Sequence, residues 1–308
     1  MAGSDQESEY QAGLAQAGLA ENQQDEEGGD FVSAFAKGLA VIQAFGEDAP
    51  ALAVAEVAHR TNFSRASARR LLITLETLGF AARLGEKKFV LTPKVLLLGN
   101  AYLSSMPMWR FAEPVLEKLV SELGETCSLS VLDGHEVVYV LRIPVRRVVM
   151  DRVSTVGSHL PAYCSSMGRL LLAMLPEAQR ERFLREVVMT AYTDKTITDR
   201  KQLRAALDTV RKRGYAWVSD EMQENVKGLA VPVYDIHGQV SSALAVSISS
   251  DSVDSEAFIR KVLPDLSRAA MRLSASMSVH FSNPPDSRSR RTPRQHGGSD
   301  AGGRRRRS

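Results

Sequence analysis

Apolar residues along this chain change period twice, and the changes mark its organisation. Phe35, Leu39, Ile42 and Phe45 recur at helical spacing and predict one buried stripe of a first helix, closed by Gly46 and the acidic, Pro-containing stretch before Ala51. A short second helix is expected from about Val54 to Arg60. A third starts at Ser64, a good N-cap residue, and carries Ala68, Leu71, Leu72, Leu75 and Leu78 on one face until Gly79. Two short apolar runs, Phe80–Leu84 and Phe89–Thr92, flank Gly85-Glu86-Lys87-Lys88 and read as a β-hairpin with a basic tip. Three helices followed by a hairpin is the order of a winged helix-turn-helix.

Pro93 ends the second strand, and residues 94 to 106 read as a linker helix. Val95, Leu96, Leu97, Leu98, Tyr102 and Leu103 make that helix apolar on most sides, so it needs a cover: a second copy of the chain or its own second domain. From Pro107 the pattern becomes mixed. A helix to about Leu123 precedes strands at Cys127–Leu132 and Glu136–Ile143 joined through Asp133-Gly134, and a further extended stretch is expected around Arg147–Val153. Residues 164–175 and 200–213 read as helices. Tyr215–Val218, Leu229–Tyr234 and Val240–Ser249 read as strands, with a turn at Asp235–Gly238 between the last two. A final helix is expected over Ser255–Ser278. Hairpin-joined strands with helices grouped between them imply an α+β module built on an antiparallel sheet.

Charge adds two tails to this picture. Residues 1–30 hold eight acids and no Lys or Arg, and residues 282–308 hold eight arginines against two acids. The formal charge of +3 therefore hides tails of −8 and +6. Both are poor in apolar residues and are expected to be disordered. Arg304–Arg307 could attract phosphates without reading sequence, or simply be hydrated. The expected domains are thus 1–30 (acidic tail), 31–93 (winged helix-turn-helix), 94–106 (linker helix), 107–281 (effector binding and oligomerisation) and 282–308 (basic tail). With neither a long apolar run nor a basic leader, a cytoplasmic location is the default.

The third helix carries the first candidate chemistry. If Ala68, Leu71, Leu72 and Leu75 face the core, rotation by 100° per residue leaves Arg65, Arg69 and Arg70 outside. Arginines there can reach guanine edges or phosphates in the major groove. Ser64 and Ser67 can donate to phosphates while capping the helix, and Arg83, Lys87 and Lys88 on the wing would meet the flanking backbone. Three arginines in six residues would equally suit a hydrated face. The helix order, the adjoining hairpin and the lack of any acid between Thr61 and Leu75 decide for a double-stranded DNA operator as partner.

The second candidate lies in Gly157–Gly168, where small residues and hydroxyls precede a helix expected to start near Ser165. Unpaired N–H groups at that terminus, with the hydroxyls of Tyr163, Ser165 and Ser166, could seat a carboxylate, although helix capping alone would also account for the serines. Enzymatic readings find little. There is no G-x-S-x-G elbow and no Gly-rich phosphate loop, and neighbouring Asp220 and Glu221 would point apart on a strand. Cys127 and Cys164 lack metal-ligand spacing and read as buried thiols. No catalytic residue, metal or cofactor is expected.

Several segments together resemble the IclR family of bacterial regulators over residues 31–281. They are Lys37-Gly-Leu-Ala-Val-Ile, Ser64–Leu72 with Thr74–Gly79, Val156-Gly-Ser with Leu160–Leu172, and Gly228–Asp235 with Ala243–Ser247. The likeness is greatest to the branch regulating protocatechuate, 4-hydroxybenzoate and β-ketoadipate catabolism, through Cys127–Gly134 and Leu160–Arg169. It implies a GAF-like effector domain, a dimer or tetramer on the operator, and a small aromatic or dicarboxylic acid as effector. The implied pocket residues are Ala162, Tyr163, Ser165 and Ser166, with Asp220, Gly228, Ser247 and Ser249 from later strands. Two positions depart from the pattern: Asn225 stands where relatives commonly have Gly, and Gly228 where many have Cys or Ser. A DNA-binding architectural protein whose second domain only oligomerises, and an enzyme fused to a DNA-binding domain, are the rival readings.

Overall fold

A computed structural model describes residues 31–46, 48–105, 108–145, 155–249 and 254–282. Both charged tails and the stretch expected around 147–153 lie outside these residues, except for Ser282. The chain divides into two compact units, residues 1–105 and 106–308.

In the first unit, α1 (Ser33–Gln43) leads into β1 (Leu52–Ala53), α2 (Val54–Thr61) and α3 (Arg65–Thr77), then β2 (Ala81–Leu84), β3 (Lys88–Leu91) and α4 (Leu96–Ser105). The connection from α2 to α3 is tight because Asn62 adopts the left-handed conformation (φ 55°) and Ser64 Oγ accepts the Ser67 amide at 3.2 Å. Val57, Ala68, Leu72, Leu75, Ala81 and Phe89 form the centre of the core, and β1, β3 and β2 pair antiparallel in that order. This is a winged helix-turn-helix.

Two apolar expectations fail here. Phe35 and Leu39 are 69% and 38% exposed, and the core instead takes Ala40 and Val41, with Ile42 and Phe45 packed at its edge. The first turns of α1 project past the small core of this unit, so their large side chains find nothing within it to cover them. Leu78 is exposed for a similar reason: it is the C-cap residue of α3, where the chain already turns toward the wing. On α4, Leu96, Leu97, Leu98 and Tyr102 are all exposed.

The second unit runs α5 (Met108–Leu123), β4 (Thr126–Asp133), β5 (Glu136–Ile143), β6 (His159–Pro161), α6 (Ser166–Met174), α7 (Glu177–Glu186), α8 (Arg200–Arg213), β7 (Ala216–Ser219), β8 (Val226–Tyr234), β9 (Val240–Ser249) and α9 (Ser255–Ser282). Six strands form one antiparallel sheet in the order β6-β5-β4-β9-β8-β7. Helices α5 and α9 pack on one face, and α6, backed by α8, packs on the other. This is the GAF-like α+β module that the resemblance implies. Strand β6 and helix α7 escape the sequence pattern: the first is three residues long, and the second is predominantly charged with only Arg180, Phe183 and Leu184 buried.

Alternation along the strands divides their side chains cleanly. Leu229, Val231, Leu244 and Val246 alternate with Gly228, Ala230, Ala243 and Ala245. The small set contributes to the core cluster that contains α6, so the sheet offers that helix a nearly smooth surface.

Leu72 is fully buried in the small first unit. Leu72→Ala is expected to cost about 2–5 kcal/mol, read as a shift in the denaturant midpoint of the unfolding transition assigned to this unit.

Candidate functional site

Two sites follow from these elements, one in each unit. On α3 the side chains of Arg65, Arg69 and Arg70 are exposed, and none has a hydrogen-bond or ion-pair partner among the described residues. Half-buried Arg60, in the same unit, instead pairs with Asp48 at 2.5 Å. Unpaired arginines presented by a helix at the start of its exposed face can meet phosphates or base edges without first breaking an internal bond. Ser64 is exposed, and its oxygen already accepts an amide, which leaves its hydroxyl proton for an outside acceptor.

The wing is stiffened from within. Arg83 Nε donates to Glu76 at 3.0 Å, and its guanidinium lies 5.0 Å over the Phe89 ring, so contact with a phosphate would compete with these two interactions. Lys87 and Lys88 are exposed at the turn, where Gly85 takes a φ of 64°.

In the second unit, Pro161 ends β6, Ala162–Cys164 make one 3-10 turn, and Ser165 caps α6 by accepting the Gly168 amide at 3.2 Å. The first intrahelical bond is donated by Arg169, to the Ser165 carbonyl at 2.9 Å. The Ser166 and Met167 amides precede it and are left over by helix geometry. Of the three hydroxyls expected to serve a ligand, that of Tyr163 both donates and accepts within the unit, and that of Ser165 accepts and keeps its proton. Tyr163 donates to the Thr190 carbonyl at 2.7 Å and accepts its amide at 2.9 Å, while Ser165 holds the cap. Ser166 Oγ has no hydrogen-bond partner among the described residues, although Ser166 is only 5% exposed.

Packing sets where that hydroxyl sits. A Cβ on Gly168 would stand 2.3 Å from the Ala162 Cα and carbonyl oxygen, and a Cβ on Gly228 would stand 2.4 Å from Ser166 Oγ. The Ser166 side chain therefore fills the space above β8 that a larger residue at 228 would take. Ser247 lies directly across from Gly228 on β9. Ala162, Ser165, Ser166, Gly228 and Ser247 are thus brought together. Ser249 stands two residues on, exposed at the strand end.

Asp220 belongs to a separate cluster. It accepts from Lys195 at 2.9 Å, the Ser219 hydroxyl at 2.8 Å, the Asn225 amide at 2.8 Å and Lys227 at 3.4 Å. Bonds from Lys195 and Ser219 hold its carboxyl far below the usual carboxylate range. Asp220 and Asn225 both have positive φ, at 61° and 64°. Asparagine tolerates that conformation, which accounts for a residue other than Gly at 225.

Glu221 and Arg169 were absent from the residues expected at the site, yet they fasten it. Arg169 donates from both Nη atoms to Glu221, at 2.6 and 2.7 Å, and also to the Tyr163 carbonyl at 2.6 Å, with both side chains buried. Glu221 further accepts the Ile197 amide at 3.2 Å. The pair ties the loop before α6 to the β7–β8 connection and to the 193–197 segment. An arginine one turn into an otherwise apolar helix was the available signal, since a buried guanidinium requires a buried carboxylate. On the other side, His159 Nδ1 lies 3.1 Å from Glu136, which clamps β6 to β5 and raises the imidazole's pKa. That clamp therefore weakens as pH rises through the raised value.

Both thiols are buried. Burial pushes both Cys127 and Cys164 up to about 12, which keeps them protonated near neutral pH. Among the described residues, no cluster of His, Cys, Asp or Glu is arranged to hold a metal, and no helix is long and apolar enough to cross a membrane.

Arg169→Met removes one partner of the buried pair and leaves Glu221 uncompensated. A loss of about 3–5 kcal/mol of stability is expected, measured by urea denaturation of the second unit's transition.

Comparison with known proteins accounts for both units. Residues 34–85 match the IclR helix-turn-helix domain, and residues 100–275 match the bacterial transcriptional regulator IclR C-terminal family. The chain is 40% identical over 245 residues to the Pca regulon regulatory protein of Pseudomonas putida, covering 79% of this chain and 84% of that protein. It is 36% identical over 248 residues to the p-hydroxybenzoate hydroxylase transcriptional activator of Acinetobacter baylyi, covering 79% and 91%. A crystal structure of a transcriptional regulator from Rhodococcus sp. RHA1 superposes with a TM-score of 0.71 at 36% identity, covering 81% of this chain and 99% of that one. A helix-turn-helix unit with free arginines, a GAF-like unit and these matches together place the chain in the IclR family of DNA-binding bacterial transcriptional regulators.

Proposed function

We propose that this regulator controls genes of aromatic-acid catabolism and that a small carboxylate effector sets its activity. The observation that carries the effector assignment is Ser166: a hydroxyl with no hydrogen-bond partner among the described residues, on a residue only 5% exposed, at a helix N-terminus whose first amides lack intrahelical acceptors. A carboxylate placed there gains N–H and O–H donors and the favourable end of the helix dipole. Ala162, Tyr163 and Ser165 shape the approach, and Gly228 and Ser247 line the floor. Ser249 lies at the rim, and Asp220 acts through its lysines on the β7–β8 wall. The names of the similar Pca and p-hydroxybenzoate regulators favour an aromatic acid or its ring-cleavage product.

DNA is read by the first turns of α3. Arg65, Arg69 and Arg70 meet base edges and phosphates, Ser64 and Ser67 bond phosphates, and Arg83, Lys87 and Lys88 grip the flanking backbone. Leu96, Leu97, Leu98 and Tyr102, with Phe35 and Leu39 in the same unit, form apolar surface suited to a second copy, so the acting species is a homodimer or a tetramer built from it. The protein acts in the cytoplasm as a regulator rather than an enzyme.

Arg70→Ala is expected to weaken operator binding by about 1–3 kcal/mol in fluorescence anisotropy at fixed salt. Unchanged affinity would place the recognition face elsewhere. Lys87→Ala and Lys88→Ala should each lower the slope of log K against log salt by roughly one.

Ser166→Ala is expected to weaken binding of 4-hydroxybenzoate about tenfold, the worth of one hydrogen bond to a charged group, in calorimetric titration of the full chain. Binding of the acid with undiminished affinity would move the carboxylate away from α6. A wild-type chain that binds neither 4-hydroxybenzoate, protocatechuate nor β-ketoadipate would favour the architectural reading.

A further inference from the structure

Beneath α6 the sheet is floored by three cross-strand rows: Thr126, Ser247 and Gly228; then Ser128, Ala245 and Ala230; then Ser130, Ala243 and Pro232. No side chain in the first two rows is larger than threonine. Two members of this floor are out of place in an apolar packing. Ser128 and Ser130 are fully buried, and both hydroxyls point at a single atom, Met167 Sδ, at 3.5 and 2.9 Å.

A thioether is a weak acceptor, so the two hydroxyls have exchanged water for little. The facing residues on β9 are alanines, and Arg142 and Tyr139, which face Ser128 and Ser130 on β5, bond neither of them. Met167 is 3% exposed and has the most adaptable of apolar side chains, able to fill an irregular gap and to leave it. An oxygen in place of the sulfur would satisfy both serines.

The spacing says what kind of molecule could bring that oxygen. Ser166 stands over β8, and the two serines stand on β4, with β9 between. Two interstrand steps and two residues along the strand put Ser128 roughly 12 Å from Gly228, the reach of one benzene ring with an oxygen at each end and a hydrogen bond beyond each. Serine hydroxyls both donate and accept, so the far end suits a neutral group that can do the same.

Resting on the effector reading of the α6 N-terminus, we infer that Ser128 and Ser130 form the subsite for a phenolic hydroxyl opposite the effector's carboxylate, and that Met167 fills this subsite in the ligand-free protein. A hydroxylated aromatic acid enters by displacing the thioether, and β4 thereby sets specificity for the distal substituent. The serines exclude nothing by size. They discriminate because an acid without the hydroxyl displaces the sulfur and leaves both of them unpaired.

Calorimetric titration of the full-length chain with 4-hydroxybenzoate and with benzoate tests this, since the two differ only at the far end. The wild type should prefer 4-hydroxybenzoate by at least about tenfold. In the double variant Ser128→Ala/Ser130→Ala that preference should collapse to within about threefold, through weaker binding of 4-hydroxybenzoate and tighter binding of benzoate. Met167→Leu removes the competing acceptor at nearly constant volume. It should raise affinity for both acids several-fold and lower the thermal midpoint of the ligand-free protein. A double variant that keeps the wild-type preference, a Met167→Leu variant that binds as the wild type does, or a wild type without preference would each overturn the inference while leaving a carboxylate site at α6 intact. A wild type that binds neither acid would overturn the effector reading, and this inference with it.

Discussion

How closely helix α6 lies on its surroundings governs the rest of the second unit. At Gly168 the helix meets the Ala162 backbone with no room for a Cβ, and at Gly228 the strand beneath leaves room only for the Ser166 hydroxyl. Backbone against backbone cannot be relieved by turning a side chain, so the loop from Ala162 to Ser165 is held against the helix it precedes. From that constraint follow the small residues along β8 and β9 and the burial of the helix N-terminus, where Ser166 Oγ has no hydrogen-bond partner among the described residues. An amphipathic helix at a normal distance from the sheet would have covered larger residues, and its first amides would have met water.

Buried ions fix this arrangement rather than simply adding to its stability. The Arg169–Glu221 pair is bidentate, and it also occupies the Tyr163 carbonyl and the Ile197 amide, so four separate segments share one hydrogen-bonded node. Desolvating two charges offsets much of their attraction. What remains is geometric: the loop before α6 and the β7–β8 connection have one mutual position in which both ions are satisfied. Asp220, next to Glu221 in the chain, repeats the device with Lys195, Lys227 and two neighbours. A ligand arriving under α6 thus pushes against a frame with few ways to yield, which suits a site whose occupancy is to be felt elsewhere in the unit.

Much of this was legible in the sequence, and the parts that were not have physical reasons. The recognition helix could be read because its apolar spacing, its Ser64 cap and its arginines are local properties of one segment. Phe35 and Leu39 misled because periodicity states that a face is apolar but not what covers it, and the first unit alone does not. The small floor of α6 could not be weighed from Ala243 and Ala245, which look like ordinary strand residues until Gly228 and Ser166 stand opposite. Asp220 was carried to the ligand by family resemblance, whereas its carboxylate already accepts from two lysines, a hydroxyl and an amide. Glu221 was set aside because neighbours on a strand point apart. They do point apart, and each meets its own cation. Met167 and its two serines gave no signal at all, since a methionine near the start of an apolar helix is what core packing ordinarily supplies.

The central claim is that a carboxylate settles at the N-terminus of α6, on the Ser166 and Met167 amides. Amide hydrogen exchange on the full chain, with and without saturating 4-hydroxybenzoate, addresses those two positions directly. Slowed exchange concentrated at Ser166 and Met167, with the later turns of α6 unchanged, is the expected result. Binding of the acid that protects other segments and leaves these amides as they were would contradict the account.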